Sequence, residues 1–432
     1  MSGKRLIFGA AAAGLTAVAL MLGGVLRDSS SNATPAPAGP VSLALAPQTT
    51  AEQVAQAQAE VRANPYSTIA LDKLGLAYQQ SARETGDPTY YTKSGEALNR
   101  ALQLEPHDLL ATSGLGSLAL SRHRFREALV LGERARRISP TTARNYGVIG
   151  DALVELGRYR AGFRAFDTMV TMRPDVSSYS RVGHARYLLG RTAGAIQAMD
   201  LALDASLGQG ETEAWTRVQL SKIYFSVGRL APAAFQARQA LRAFPQYALA
   251  YDALAWARYA QGNLKGAIAS EHEAVNRIPL PQYVAMLGDL YRATGHPRLA
   301  RRQYALISVI QRLLVANGVK TDLETALFNV DHNIHMHASL ALARLAQRER
   351  PSIDGDDVLA WALERTGHCG EARLYAQRAL RLRTLDALKM FHRGMIERCL
   401  GNRGAARAWF DWALRLNPHF SVLWSQLARR YA

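Results

Sequence analysis

Residues 246–279 read QYALAYDALAWARYAQGNLKGAIASEHEAVNRIP. An apolar-periodic segment ends at Gly262, a second one opens at the small residue Ala267, and Pro279 closes the stretch. Glycine suits the left-handed position that follows a helix C-terminus, and proline cannot continue a helix. The stretch therefore reads as helix, glycine turn, helix, proline turn.

Working outward, the same punctuation recurs. Pro106, Pro140 and Pro174 are 34 residues apart, as are Pro245 and Pro279. The remaining gaps, 71 from Pro174 to Pro245, 72 from Pro279 to Pro351 and 67 from Pro351 to Pro418, are close to two periods each. Glycines form a second ruler at Gly157, Gly190, Gly228, Gly262, Gly295, Gly367 and Gly401. A second apolar segment follows most of them, opening on Ala195, Ala233, Ala267, Ala300, Ala372 or Ala406. Such a period identifies a stack of supersecondary units and replaces the three domains that length alone suggests.

The pattern resembles the tetratricopeptide repeat family. Tyr146, Ile149, Gly150, Leu153, Phe166 and Pro174 carry the likeness in one unit, and Leu220, Tyr224, Ala233, Ala240 and Pro245 in another. Tyr251, Leu254, Ala255, Ala267, Ala274 and Pro279 repeat it, as do Leu287, Gly288, Tyr291 and Ala300. Met390, Gly394, Ala406, Phe410, Ala413 and Pro418 close the series. The resemblance implies an all-α, right-handed superhelical solenoid of about 9–10 helix-turn-helix units, spanning residues 51–418. The pattern departs at an expanded turn through Arg83–Pro88 and is degenerate around 304–351, where Asn317-Gly318 breaks a long helix. Residues 419–432, with Phe420, Leu423, Trp424 and Leu427 on one helical face, are expected to cap the stack.

The amino terminus reads differently. Lys4 and Arg5 precede an uncharged stretch of 21 residues, Leu6 to Leu26, before Arg27 and Asp28. That is close to the ~20 residues needed to cross a bilayer as a helix and longer than the ~7–15 of a cleavable signal. Residues 1–27 are therefore expected to be a signal or anchor segment, an uncleaved anchor being favoured. Residues 28–50, rich in Ser, Pro and Ala, would tether the repeats outside the cytoplasm, or release them by secretion if the segment is cleaved.

Formal net charge is +17, and only seven of the 52 basic residues are lysine. With abundant alanine, this balance suggests a bacterial, high-GC source. The arginines are spread along the chain rather than clustered on one face, which argues against nucleic acid as partner.

No phosphate loop with its lysine, no Gly-x-Ser-x-Gly turn and no zinc-protease histidine pair is present, so no enzyme and no cofactor are expected. Asp331, His332, His335 and His337 are candidate metal ligands, although zinc sites usually draw ligands from two separated segments and a polar loop is the plainer reading. Cys369 and Cys399, placed near the ends of helix A in adjacent units, are a candidate disulfide. Helix axes ~8–10 Å apart commonly hold Cα atoms beyond bridging range, which argues against it.

In the family resembled, helix A lines a concave groove. The exposed helix A positions here are His184, Tyr187, Lys222, Phe225, Trp256, Tyr259, Asp289, Arg292, Trp361 and Glu364, with Trp215 adding to the same wall. Rigid aromatic rings with a few charges suit peptide binding. The resemblance thus implies a non-catalytic scaffold holding an extended segment of a protein partner. The alternative is a binder of anionic cell-envelope polymer through Arg298, Arg301, Arg302, Arg373, Arg378 and Arg381.

Overall fold

Each proline of the 34-residue ruler stands two residues beyond the end of a helix in the computed structural model, which describes residues 49–432. The membrane-directed segment and nearly all of the expected tether lie outside the described residues. Among the described residues no helix is long and apolar enough to cross a membrane, and every regular element is helical.

A single helix α1 (Thr50–Ala63) precedes ten helix pairs. Units 1 to 3 are α2 (Thr68–Thr85) with α3 (Thr89–Leu104), α4 (Leu109–Ser121) with α5 (Phe125–Ile138), and α6 (Ala143–Glu155) with α7 (Tyr159–Met172). Units 4 to 6 are α8 (Val176–Leu188) with α9 (Thr192–Asp204), α10 (Glu211–Ser226) with α11 (Leu230–Ala243), and α12 (Ala248–Ala260) with α13 (Leu264–Arg277). Units 7 and 8 are α14 (Pro281–Ala293) with α15 (Pro297–Ala316), and α16 (Asp322–Asp331) with α17 (Met336–Glu349). Units 9 and 10 are α18 (Ile353–Arg365) with α19 (Cys369–Ala379), and α20 (Ala387–Cys399) with α21 (Arg403–Leu416); α22 (Ser425–Tyr431) ends the chain on α21. This is an α-solenoid of helix-turn-helix repeats.

All seven ruler glycines have positive φ and lie two residues past helix A. His123 and Asn333 take the same left-handed position in units 2 and 8, which is why the ruler skips those units. Inside the pairs, a ring from helix B lies over a helix A glycine: Phe166 on Gly150, Tyr304 on Gly288 and Phe410 on Gly394. The absent side chain lets the two helices close on each other.

The expanded turn of unit 1 is instead absorbed into α2, which runs through Thr85. The chain end also differs from expectation. Residues 417–424 are irregular, helix resumes only at Ser425, and Phe420 and Trp424 are buried in the last apolar cluster rather than spread on a capping face.

The solenoid also meets itself after one superhelical turn. The helix A to B turns of units 1–5 abut the inter-unit turns that follow units 6–10. Gly86 faces Ile278, Gly157 faces the Pro351 carbonyl, Gly190 that of Arg383 and Gly228 that of Leu416. Hydrogen bonds run along the seam: Lys320 N–H to Arg122 O at 3.0 Å, Ile353 N–H to Tyr159 Oη at 2.7 Å, Thr384 Oγ1 to Leu188 O at 2.5 Å and Asn417 Nδ2 to Phe225 O at 2.8 Å. The last three join residues 194, 196 and 192 apart, so the register is held along the seam. Arg350, buried in the second turn, pairs with buried Glu155 in the first and with Glu324 at 3.1 Å.

Candidate functional site

Winding places these helix A positions on an inner wall where first and second turns face each other, and there Tyr187, Trp215, Asp289 and Trp361 are buried rather than exposed as the repeat phase suggests. Four of the expected groove residues, His184 and Tyr187 on α8 and Trp215 and Lys222 on α10, line a cavity of about 50 Å³. Its opposite side is built from the second turn: Ser352, Ile353 and Asp354 at the start of α18, with Thr384, Asp386 and Lys389 around the start of α20. The helix starts are fixed locally. Ser352 accepts the Gly355 N–H at 3.2 Å, and Asp386 accepts the N–H groups of Leu388 and Lys389 at 3.0 and 3.2 Å, satisfying donors that a helix N-terminus leaves open.

Charge in this cavity is organised around Lys389. Its Nζ lies 2.8 Å from Asp354 and 2.6 Å from Asp386. Burial opposes the ammonium form, but Asp354, Asp386 and Asp357 together hold it well above the usual lysine range. Burial likewise opposes ionisation of Asp354, and Lys389 and Arg350 overcome it, keeping the carboxyl below its ordinary value. At His184 burial wins, with Arg181 adding to it and Asp354 only partly opposing it. Burial pushes its imidazole down to about 4, so it is neutral at pH 7. Its Nε2 and the Trp215 Nε1 are buried without a hydrogen-bond partner among the described residues. Buried polar atoms are nearly always satisfied, and an orphan pair beside a cavity marks a place for a guest, water included.

The other groove candidates are engaged by the chain itself. Phe225 and Tyr259 pack edge-on against Trp256, with centroids 5.4 and 6.2 Å away. Residues 417–424 lie against this group: Tyr259 Oη donates to Ser421 O at 2.8 Å, and Val422 and Leu423 join Trp256, Tyr259, Met286 and Leu290 in one apolar cluster. Asp289 accepts from Tyr304 Oη at 2.7 Å and meets His332 Nε2 at 3.1 Å, with Arg292 beside Asp289 and Tyr304. Trp361 is wholly buried; its Nε1 donates to Asp331 at 2.7 Å and its ring stacks on His392. Glu364 is close by, its carboxyl pushed up by burial. Trp361 is core because the chain end folds inward over it, Trp424 packing on its ring and reaching the same Asp331 oxygen through Nε1.

The metal candidates are not brought together. His332 turns inward to Asp289, whereas His335 sits at the start of α17 in a left-handed conformation and His337 follows in its first turn. Among the described residues no group of three His, Cys, Asp or Glu side chains is arranged to hold a metal ion. Asp331 is an acceptor for two tryptophans rather than a ligand.

The cysteines are bonded, with Cα atoms 6.1 Å apart. Cys369 opens α19, a helix B, rather than ending a helix A, so it meets Cys399 at the end of α20 where neighbouring units touch. Of the arginines assigned to an anionic polymer, Arg373 pairs with Glu397 at 3.3 Å, and Arg378 and Arg381 pair with buried Asp356 at 3.0 and 2.5 Å. Those three guanidiniums serve the fold.

The sequence pattern passed over Asp354, Asp386 and Lys389, which face the cavity from a full turn away. They occupy no repeat-defining position, and only the 194-residue offset brings them to α8 and α10.

Residues 148–209 and 218–281, which build the wall around α8, α10 and α12, match the family described as Tetratricopeptide repeat. Over these two stretches the chain is similar to that family. No curated protein matches the chain. Similar solved structures include a tetratricopeptide repeat protein from Parabacteroides merdae, 16% identical over 56% of this chain and 98% of that one, TM-score 0.40. The human IFIT1 dimer with PPP-AAAA is 15% identical over 85% of this chain and 87% of that one, TM-score 0.46. YrrB, a tetratricopeptide repeat protein with an unusual peptide-binding site, is 17% identical over 43% and 94%, TM-score 0.29. The matched stretches carry most of the cavity's first-turn wall, and the second turn supplies its other side.

Proposed function

We propose that this chain is a non-catalytic protein-interaction scaffold, exported or held at a membrane by residues 6–26, which engages an extended partner segment along the inner wall of its tetratricopeptide repeats. The observation that carries the reading is the wall of α8 and α10, where Trp215 and His184 present unpartnered polar atoms beside Tyr187 and Lys222 at a cavity. An aromatic wall with a few charged and hydrogen-bonding groups fits a peptide better than a nucleic acid or a metal. The Cys369–Cys399 bond supports a location outside the cytoplasm, since such bonds persist in oxidising compartments.

Site-specific photocross-linking in cells tests this reading. A photoreactive residue at position 222 is expected to capture one discrete partner, and one at exposed Phe235 on the outer face of α11 is not. Partner capture is expected to be lost in Trp215→Ala at a temperature where the variant's circular dichroism matches wild type. Equal capture from positions 222 and 235, or none from 222, would overturn the proposal.

A further inference from the structure

Every helix B from α3 to α19 packs closely on the helix A that follows it, except α15 against α16. At 20 residues α15 is also the longest described helix, and it overruns its 13-residue partner α14. Its outer face is left uncovered. Leu306, Val309 and Leu313, spaced to share one side of the helix, are 45%, 43% and 54% exposed. Arg298, Arg301, Arg302 and Arg312 are exposed around this stripe, and the helix contains no Asp or Glu.

We propose that this face of α15 lies on an anionic lipid surface. An amphipathic helix with an apolar stripe and arginine flanks seats its side chains at the headgroup boundary, while the guanidiniums meet lipid phosphates. Charge complementarity selects this occupant: a helix with four arginines and no acid would repel a second copy of itself. The point at which residues 1–48 join the repeats also lies on this side of the fold. Thr50 Oγ1 bonds Glu84 at the end of α2 at 2.8 Å, and Thr92 in α3 of the same unit donates to Asn317, the residue that follows α15, at 3.0 Å. Insertion of segment 6–26 in a bilayer would hold the repeats near such a surface. The contact does not depend on the protein-partner reading, because it uses the outer face and leaves the inner wall open.

The test uses the full chain with a nitroxide attached at Val309→Cys. The two native cysteines are bonded to each other, so the new thiol is unique. On vesicles of phosphatidylglycerol and phosphatidylethanolamine the label is expected to collide with oxygen and be shielded from a water-soluble nickel complex. On phosphatidylcholine vesicles it is expected to remain aqueous. A label at Leu201→Cys, exposed on α9 about half a superhelical turn away, should be aqueous on both. Arg301→Glu with Arg302→Glu should return the 309 label to water, each lost arginine weakening the contact about fivefold. An aqueous 309 label on the anionic vesicles, or equal insertion on both compositions, would overturn the proposal. Shielding without vesicles would also overturn it and would assign the face to a second copy of the chain.

Discussion

The phenolic oxygen of Tyr159 accepts the backbone N–H of Ile353 at 2.7 Å, across 194 residues of chain. Tyr159 opens α7 in the first superhelical turn and Ile353 opens α18 in the second. The bond is buried, and Arg381 lies over the tyrosine ring at 5.2 Å. Two parts of a solenoid that are distant in sequence are thereby welded, so this stack is not the sum of neighbouring-unit contacts that an open repeat array approximates.

Tyr159→Phe is expected to remove the acceptor and leave the Ile353 N–H buried and unpaired, which costs about 1–3 kcal/mol. Tyr66→Phe, at a side chain that is 75% exposed, should change stability little. Urea unfolding of both variants measures the difference. Equal, small effects would show that the two turns are not joined in solution.

A second test of the seam uses the turn glycines. Gly157 and Gly367 both adopt left-handed φ, +71° and +84°, so alanine at either position is strained by about 1–2 kcal/mol. A Cβ at Gly157 would also strike the Pro351 carbonyl oxygen, whereas at Gly367 nothing lies within 4 Å. Gly157→Ala should therefore be at least twice as destabilising as Gly367→Ala in the same denaturation assay. Similar losses would place Pro351 away from the first turn.

Helix ends were readable in the sequence because proline and left-handed glycine act on the residues beside them, so Pro140 or Gly262 marks a boundary wherever the rest of the chain goes. The inner wall was readable in part, since helix A position follows from repeat phase. That phase says nothing of residues 194 apart, and it offered Trp361 and Asp289 as groove residues although the inward-folding chain end and α16 bury them. Asp331 was singled out for its neighbouring histidines, yet its partners Trp361 and Trp424 lie 30 and 93 residues on. The candidate disulfide forms although repeat phase sets Cys369 near the end of a helix A: it stands instead at the start of α19 and faces the end of α20.

The disulfide closes a loop over 30 residues between units 9 and 10. Restricting the unfolded chain in this way contributes about 2–4 kcal/mol. Reduction with dithiothreitol, or Cys369→Ala with Cys399→Ala, is expected to lower the melting temperature, and reduction should have no further effect on the double variant. An unchanged melting temperature in both experiments would mean the bond adds no stability.

Asp331 gives the fold a pH dependence of calculable sign. Burial pushes its carboxyl up to about 7, against the opposing influence of His392 and His332. The native state therefore keeps a proton that the unfolded chain releases near pH 4, and stability falls as pH rises between those values. At 1.36 kcal/mol per unit the fall approaches about 4 kcal/mol and levels off above pH 7. Asp331→Asn keeps an acceptor oxygen for Trp361 and Trp424 but has no proton to lose. The stability of the asparagine variant relative to wild type should rise steadily from pH 4 to pH 7 and then stay constant. A flat difference across that range would mean that Asp331 ionises in the native protein as readily as in the unfolded chain, with the two indole N–H groups and His392 outweighing its burial.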